Sequence, residues 1–351
     1  MMADLSGPPA NPSSVHHFGA RAKKLLQTAR RTVANFFQAR PEEIIFTSGG
    51  TESINLMLRG LPKGHIITTD LEHSAVYKTL QALESPVTYL SPKLLGAPTP
   101  QLIASAIRPE TKAIILSAAN NETGAKIDIP AIAALAKQHN IPLLLDAVSY
   151  IGKEPFPMHP GITAIALSGH KFHAPKGIGA LYLRSSLNLT STLTGGNQEY
   201  MHRAGTENLA GAIGLAEAIQ ILTESQAAIT AHLHALQTHF ETELFEALPN
   251  LTLNATGPRL PNTTNISITG CDGESLLLQL DLAGIATSLG SACSSGALEP
   301  SRILMNMGLD RKAARSSIRF SFSRQTTKAE IDTALSKIIP LVQRLRALSA
   351  I

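Results

Sequence analysis

The chain has 351 residues, 44% of them apolar, and a formal charge of +4 from 30 basic and 26 acidic side chains. This length supports two domains, or one large domain with an appendage, with ample apolar cores. No apolar run approaches the roughly 18–20 residues that span a bilayer, and the first residues lack the basic start and apolar segment of a secretion signal. We therefore expect a globular protein of the cytoplasm, without a membrane partner.

The cysteine and histidine content argues against a disulfide scaffold and against a metal site. Cys271 and Cys293 are the only cysteines, and the twelve histidines form no HExxH pattern. Residues 301–351 are basic, with ten Lys or Arg against three acidic side chains. That stretch is either a docking face for an acidic protein or nucleic acid, or an ordinary solvated helix surface.

The first elements in chain order indicate a phosphate site. Apolar residues at helical spacing predict a helix over 20–39, which ends at Pro41, and Ile44–Thr47 is typical of a short buried strand. The glycine pair Gly49–Gly50 then precedes a helix with a hydroxyl at Thr51. Free N–H groups at such a helix start favour a phosphate, although a simple glycine-capped turn has the same pattern.

Strands and helices alternate over the next 130 residues or so. Such repeated βα units predict an α/β fold with a mainly parallel sheet that is covered on both faces. Strands are predicted at 66–69, 87–90, 113–117, 143–146, 164–167 and 179–183, and helices at 74–84, 99–107 and 130–139.

Polar residues follow five of the predicted strands at their carboxyl ends, where open α/β sheets bind ligands. These five groups are Ser48–Thr51, His73, Asn120–Glu122, Asp146 and Ser168–Lys171. Lys171 stands where the chain turns after a buried strand. A partly deprotonated lysine there forms Schiff bases, most often with pyridoxal phosphate, although many lysines after strands are merely solvated.

The remaining chain predicts a smaller C-terminal α+β domain, with residues 1–225 forming the large domain and 226–351 the small one. A cysteine among Gly, Ser and Ala at 288–296 predicts that Cys293 lies on a mobile exposed loop, whereas Cys271 has an incidental position. Helices are predicted at 206–225, 226–247, 273–283 and 327–347, and strands at 264–268 and 316–322.

Specific motifs run through nearly the whole chain. They include NPSSxHxFG (11–19), EEIIFTSGGTES (42–53), EH (72–73), NNExG (120–124), SGHKxxxPKGxGAL (168–181), AGTEN (204–208), GSAC (290–293) and SIRFS (317–321). Together they resemble the cysteine desulfurases of the NifS/IscS type, in the class V branch of pyridoxal-phosphate-dependent, aspartate-aminotransferase-like enzymes of fold type I.

This resemblance implies a set of cofactor contacts. Lys171 forms the Schiff base with pyridoxal phosphate, His73 stacks on its ring, and Asp146 pairs with the ring nitrogen. Asn121 reaches the ring oxygen or the substrate. The phosphate is held by Gly50, Thr51, Ser168 and His170, and by Thr206 of the other subunit in a homodimer.

The same resemblance implies the reaction. Arg319 binds the carboxylate of L-cysteine, and Lys171 takes the α proton. Cys293, as a thiolate, attacks the substrate sulfur, so that alanine leaves and a persulfide remains on the enzyme. The persulfide is then donated to acceptor proteins, such as an iron–sulfur scaffold, or to tRNA thiolation.

Two departures from the family pattern leave alternatives open. Family members begin with an LDNNATT-like segment before the NPSS motif, so we expect the true start to lie upstream of Met1. The family glutamine that bonds the cofactor ring oxygen is Ser149 here, too short for the same bond unless a water bridges. The alternatives are a truncated, catalytically weak or inactive partner protein, another class V aminotransferase, or a selenocysteine lyase.

Overall fold

The computed structural model describes residues 1–290 and 299–349, so Cys293 lies outside the described residues. The larger part of the molecule is built on a seven-stranded sheet with the order β1-β7-β6-β5-β4-β2-β3. Its strands are β1 (Ile44–Thr47), β2 (His65–Thr69), β3 (Val87–Leu90), β4 (Thr111–Ser117), β5 (Leu143–Asp146), β6 (Ile162–Ser168) and β7 (Gly179–Leu183).

The sheet is mainly parallel, as predicted. Strands β3, β2, β4, β5 and β6 pair in parallel, whereas β7 is antiparallel to both of its neighbours, β6 and β1. Because β7 follows β6 in the chain without a crossover helix, the two can only pair in opposite directions. All seven predicted strands are confirmed to within two residues of their bounds.

Both faces of the sheet are buried. Successive residues along a strand point to opposite faces, and here they belong to two separate apolar cores. Ile44, Phe46, Ile114, Leu116, Leu143 and Leu145 lie in one core, and Ile45, Ile115 and Leu144 in the other.

The helices before and between the strands supply the covering layers. They are α1 (Met2–Leu5), α2 (His17–Phe36), α3 (Gly50–Arg59), α4 (Ser74–Gln81), α5 (Pro100–Ala104) and α6 (Ile129–Gln138). Thr99 and Asp128 cap α5 and α6 by accepting backbone N–H bonds, and each helix has a proline in its first turn. The helices predicted at 74–84, 99–107 and 130–139 are therefore confirmed, with shorter C-terminal ends.

A single long helix, α7 (Leu209–Ala247), stands where two helices were predicted at 206–225 and 226–247. The prediction of a break was wrong because the polar stretch around Thr223–Gln226 contains neither proline nor glycine, and nothing interrupts the backbone hydrogen bonds there. The domain boundary at 225/226 falls inside α7 and stays a prediction.

A second, three-stranded antiparallel sheet forms the core of the smaller C-terminal part, in the order β10-β9-β8. It comprises β8 (Leu251–Leu253), β9 (Thr263–Ile268) and β10 (Ser317–Ser321), with helices α8 (Gly273–Leu282), α9 (Arg302–Asn306), α10 (Arg311–Arg315) and α11 (Lys328–Ser349). The sequence pattern missed β8, α9 and α10, which are too short to show a period. Among the helices in the described part of the chain, none is long and apolar enough to cross a membrane.

Candidate active site

The five polar groups predicted to share one edge of the sheet do share it. Each follows the carboxyl end of β1, β2, β4, β5 or β6, and these strands all run in the same direction. Ser117 and Asp146, the last residues of β4 and β5, are direct partners in register. The topology thus gathers His73, Asn121, Asp146 and Lys171 at one end of the sheet.

A pocket of about 350 Å³ opens at the start of α3. No side chain caps this helix, and the first N–H groups of a helix have no partner within it. Ser168 Oγ lies 3.1 Å from His170 Nδ1 at the same pocket. The lining residues are Ser48, Gly49, Gly50, Thr51, Glu52, Ser168, His170, Lys176 and Gly177. The N–H groups at this helix start suit an anion, and Lys176 is a basic residue of the lining that the sequence prediction did not assign.

Close packing explains the glycine at position 50. A Cβ atom there would stand 2.4 Å from Cγ2 of Val148, in the turn that follows β5. The start of α3 is therefore pressed against that turn, and the backbone of the pocket is open to a ligand on its other side.

The carboxylate of Glu52 connects the pocket, through hydrogen bonds, to the segment that carries Thr206. It accepts hydrogen bonds from the backbone N–H of Ser48 at 2.8 Å and from Nε of Arg203 at 3.0 Å. Burial alone would raise the pKa of Glu52, but these bonds outweigh it and lower the pKa. Thr206, three residues beyond Arg203, is exposed on the surface.

His73 is held as a neutral ring. It caps α4, and its Nδ1 accepts a hydrogen bond from the N–H of Ala75 at 3.1 Å, so the ring proton is on Nε2. Burial lowers the pKa of His73, and the charges of Lys171 and Arg302 lower it further against the opposing effect of Asp146.

Asp146 is a buried carboxyl that faces two basic groups. Its Oδ1 accepts the N–H of Val148 at 3.0 Å. Burial raises the pKa of Asp146, whereas the Val148 bond and the charges of His73 and Lys171 act in the opposite direction. A cationic ring nitrogen placed here would favour the ionised carboxylate, because its positive charge would act with those of the basic groups against the effect of burial.

A second buried carboxyl, Glu72, lies beside Asp146 and was missed as a site residue. It accepts hydrogen bonds from the hydroxyl of Thr69 at 2.7 Å and from the N–H and hydroxyl of Ser117 at 2.8 and 2.6 Å. Burial raises the pKa of Glu72 to about 7, and the nearby Asp146 adds to that effect. The sequence motif EH at 72–73 was the signal from which Glu72 could have been identified as a site residue.

Lys153 supports the turn that carries Lys171. Its Nζ donates to the backbone carbonyl of Lys171 at 2.8 Å. Burial lowers the pKa of Lys153 to about 8, with help from the charges of Lys171 and Arg324. No sequence pattern marked Lys153, because its contact with residue 171 exists only in the folded chain.

Asn121 and Arg319 meet across the two parts of the molecule. Nη1 of Arg319 donates to the backbone carbonyl of Asn121 at 2.8 Å. The Nε of Arg319 and the Oδ1 of Asn121 are both buried, and neither has a hydrogen-bond partner within residues 1–290 and 299–349. Buried polar atoms without partners are costly unless a ligand satisfies them. The Nε donor of Arg319 fits an amino-acid carboxylate, whereas the Oδ1 acceptor of Asn121 needs a donor N–H or O–H group on the ligand.

The residues present fit pyridoxal phosphate. The glycine cradle, with Ser168 and His170, suits a phosphate, and the buried Asp146 suits a cationic ring nitrogen. Ser149 is half-buried in the turn after Asp146. Within the described ranges, no three His, Cys, Asp or Glu side chains are grouped so as to hold a metal ion.

Comparison with known proteins agrees with this geometry. The sequence profile of the aminotransferase class-V family matches residues 3–334. The chain is 43% identical to "Cysteine desulfurase 2" of Trichormus variabilis over 349 residues, which is 97% of this chain and 87% of that protein. A solved structure titled "NIFS-LIKE PROTEIN" superposes with a TM-score of 0.89 at 30% identity, covering 98% of this chain and 94% of the other. "SspA in complex with cysteine" superposes with a TM-score of 0.79 at 31% identity, covering 93% and 94%.

The fold is that of the pyridoxal-phosphate-dependent transferases of fold type I, and class V aminotransferases generally depend on that cofactor. The chain belongs to the class V aminotransferase family, in the branch that contains the cysteine desulfurases.

Proposed function

We propose that this protein is a cysteine desulfurase, which converts L-cysteine to L-alanine and leaves the sulfur as a persulfide on Cys293. The observation that carries the proposal is the position of Arg319. Its side chain reaches Asn121, and its backbone pairs with Ser288, whose O accepts the Arg319 N–H at 2.7 Å. A carboxylate-binding group thus adjoins Ser288, five residues before Cys293 in the sequence. Similarity to "Cysteine desulfurase 2" and to "SspA in complex with cysteine" supports the same substrate.

Each residue has a role in the proposed site. Lys171 would bind the cofactor, and its amine would accept the α proton of the substrate. His73 would lie against the ring, Asp146 would pair with the ring nitrogen, and Asn121 would reach the ring oxygen or the substrate. The phosphate would be held by Gly50, Thr51, Ser168, His170 and, from the other subunit, Thr206. When bound, pyridoxal phosphate withdraws electrons from the α carbon of the substrate.

The sulfur transfer needs one thiolate. The thiolate of Cys293 attacks the substrate sulfur, and an S–S bond forms as the carbon–sulfur bond of the substrate breaks. The electron pair of the broken bond stays on the substrate carbon, which gains a proton and leaves as alanine. The sulfur on Cys293 then passes to an acceptor, such as an iron–sulfur scaffold protein or a tRNA-thiolation partner, in a homodimer that acts in the cytoplasm.

The test compares Cys293→Ala with Cys271→Ala in the full-length protein. We expect the wild type and Cys271→Ala to form alanine from L-cysteine and to carry one extra sulfur atom on the Cys293 peptide by mass spectrometry. Cys293→Ala is expected to lose both. Full alanine production by Cys293→Ala would reject transfer through a persulfide and favour another class V activity.

A second measurement separates an active enzyme from an inactive partner protein. The purified wild type is expected to show the absorption band of a lysine-bound pyridoxal cofactor, and Lys171→Ala is expected to lack it. A wild type that cannot be loaded with the cofactor would favour the inactive partner.

A further inference from the structure

We propose that Arg302, at the start of helix α9 in the smaller C-terminal part, is a positioning residue for His73. It holds the turn that leads into His73 and places a positive charge near the imidazole. The inference rests on the proposed function, in which His73 would lie against the cofactor ring. Arg302 lies in none of the motifs that indicated the family, so only its contacts in the folded chain reveal this role.

The guanidinium of Arg302 binds two carbonyl groups of the turn. Its Nη1 donates to the carbonyl of Asp70, and its Nη2 donates to the carbonyl of Glu72 at 2.5 Å. Asn306, one turn further along α9, donates from Nδ2 to the same Asp70 carbonyl at 2.8 Å. Because the donors of a guanidinium lie in one rigid plane, two carbonyls bound by it are fixed relative to each other. Helix α9 therefore holds the chain directly before His73.

The same guanidinium also contacts the chain beyond His73. Its Cζ lies 4.0 Å from the centroid of the Tyr77 ring, which is the arrangement of a cation–π interaction. Tyr77 belongs to the first turn of α4, and its N–H donates to the carbonyl of His73 at 3.0 Å. Arg302 thus fixes the backbone on both sides of His73, through residues 70 and 72 before it and residue 77 after it.

The turn depends on Arg302 because side chains bind each of its carbonyls. Asn120 donates from Nδ2 to the carbonyl of Leu71 at 3.0 Å, between the two carbonyls that Arg302 binds. A partly buried carbonyl that loses its donor costs free energy, so a turn without Arg302 should shift or open. His73 would move with it, because the Glu72 carbonyl belongs to the peptide bond that precedes His73.

The charge of Arg302 has a second effect on His73. Burial lowers the pKa of His73, and the charges of Lys171 and Arg302 lower it further against the opposing charge of Asp146. Removing the Arg302 charge should therefore raise the pKa of His73. A neutral imidazole suits the proposed site, because a charged one would repel the cationic ring nitrogen that Asp146 would bind.

Hydrogen exchange with mass spectrometry measures the turn in the cofactor-free protein. We expect Arg302→Met and Arg302→Lys each to accelerate exchange in a peptide covering residues 70–77 by roughly 5- to 10-fold, since both variants lose the planar fork. Arg311→Met is the matched control. Arg311 forms an exposed ion pair with Glu299 in the same part of the molecule, so its loss should leave exchange at 70–77 unchanged.

Histidine-labelled NMR separates the effect of charge from that of the hydrogen bonds, again without cofactor. The His73 signal is assigned from its absence in His73→Gln. We expect a higher pKa of His73 in Arg302→Met than in the wild type, whereas Arg302→Lys, which keeps the positive charge, should stay near the wild-type value. A general loss of packing would not distinguish these two variants in this way.

Steady-state kinetics give a third readout in the loaded enzyme. The kcat for alanine formation should fall roughly 10-fold in both Arg302 variants, because a displaced His73 would no longer hold the cofactor ring in the reactive geometry. KM for L-cysteine should change less than about threefold, since Arg319 and Asn121 are left intact.

Unchanged exchange at residues 70–77 in Arg302→Met would overturn the proposal, as would an unchanged pKa of His73 in that variant or an equal effect of Arg311→Met. If Arg302→Met does not fold, Arg302→Gln, which keeps an amide donor but no charge, should raise the pKa of His73 in the same direction. Exchange and NMR do not depend on turnover. A wild type that forms no alanine would therefore reject the proposed function while leaving these two tests intact.

Discussion

Arg319 and Asn121 are joined by a 2.8 Å hydrogen bond from Nη1 to a backbone carbonyl, which links strand β10 of the small sheet to the loop after β4 of the large one. Within residues 1–290 and 299–349 the Nε of Arg319 has no hydrogen-bond partner, so it can act on a ligand. The guanidinium therefore links the two parts of the molecule and also presents a donor to a ligand.

Arg319→Lys should impair substrate binding more than turnover. A lysine keeps the charge but lacks the planar fork that bonds both a carbonyl and a carboxylate, so we expect KM for L-cysteine to rise roughly 10- to 100-fold. Steady-state kinetics with alanine detection measure this. Arg311→Lys, at an exposed ion pair with Glu299, is the matched control and should change KM less than about twofold. An unchanged KM in Arg319→Lys would remove Arg319 from the substrate site.

Gly50→Ala should weaken cofactor binding through a steric effect. The new methyl group would collide with Val148, displacing the first turn of α3 and costing about 1–3 kcal/mol. We expect the Kd for pyridoxal phosphate to rise roughly tenfold or more in an absorbance titration. The double variant Gly50→Ala/Val148→Ala makes room for the methyl group and should recover most of the affinity. A double variant as weak as Gly50→Ala would contradict this explanation.

Glu72→Gln should change how stability depends on pH. Because the pKa of Glu72 is raised from 4.5 to about 7 in the folded protein, the folded state binds this proton more tightly than the unfolded state. The group therefore favours folding fully below pH 4.5, and that contribution is lost as the pH rises through 7. The glutamine variant, which carries no charge at any pH, should become more stable relative to the wild type between pH 5 and 8, by roughly 2–3 kcal/mol.

Urea unfolding of the cofactor-free protein at several pH values measures this difference. Glu84→Gln, at an exposed ion pair with Lys63, should show no such trend. Parallel stability curves for wild type and Glu72→Gln would show that Glu72 titrates normally.

Met201→Gly should stabilise the protein. Glu199, Tyr200 and Met201 form three successive left-handed residues, with φ of 46°, 56° and 68°, and Met201 is 68% exposed. Glycine removes the Cβ penalty of that conformation while sacrificing little packing, for a gain of about 0.5–1 kcal/mol. Leu278→Gly, at a similarly exposed apolar residue within helix α8, should instead destabilise by about 1 kcal/mol.

The conformation at Met201 persists because its neighbourhood fixes it. Arg30 and Glu199 form a buried ion pair at 2.6 Å, and the guanidinium of Arg30 lies over the rings of Phe46 and Tyr200. A destabilised Met201→Gly variant in urea unfolding would mean that the methionine side chain contributes more through contacts than its backbone costs.

The strands and helices could be predicted wherever apolar residues recur along the chain with a regular period. Alternating apolar residues such as Ile44, Ile45 and Phe46 fixed the strands, because each face of a buried strand must meet a core. The polar residues after β2, β4, β5 and β6 were found for the same reason, since parallel strands bring their carboxyl ends together. The break predicted inside α7 failed because a polar stretch alone does not end a helix.

What the sequence determined by itself was therefore the order of the strands along the chain, the edge of the sheet that binds ligands, and the family. Only the tertiary structure decided that Arg319 reaches Asn121, that Lys153 donates to the carbonyl of Lys171, and that Ser301 donates to Glu122. Residues that are 18 to about 200 positions apart make these contacts, and no local period encodes them. Their energies depend on burial and on approach distances that exist only once the two sheets have packed.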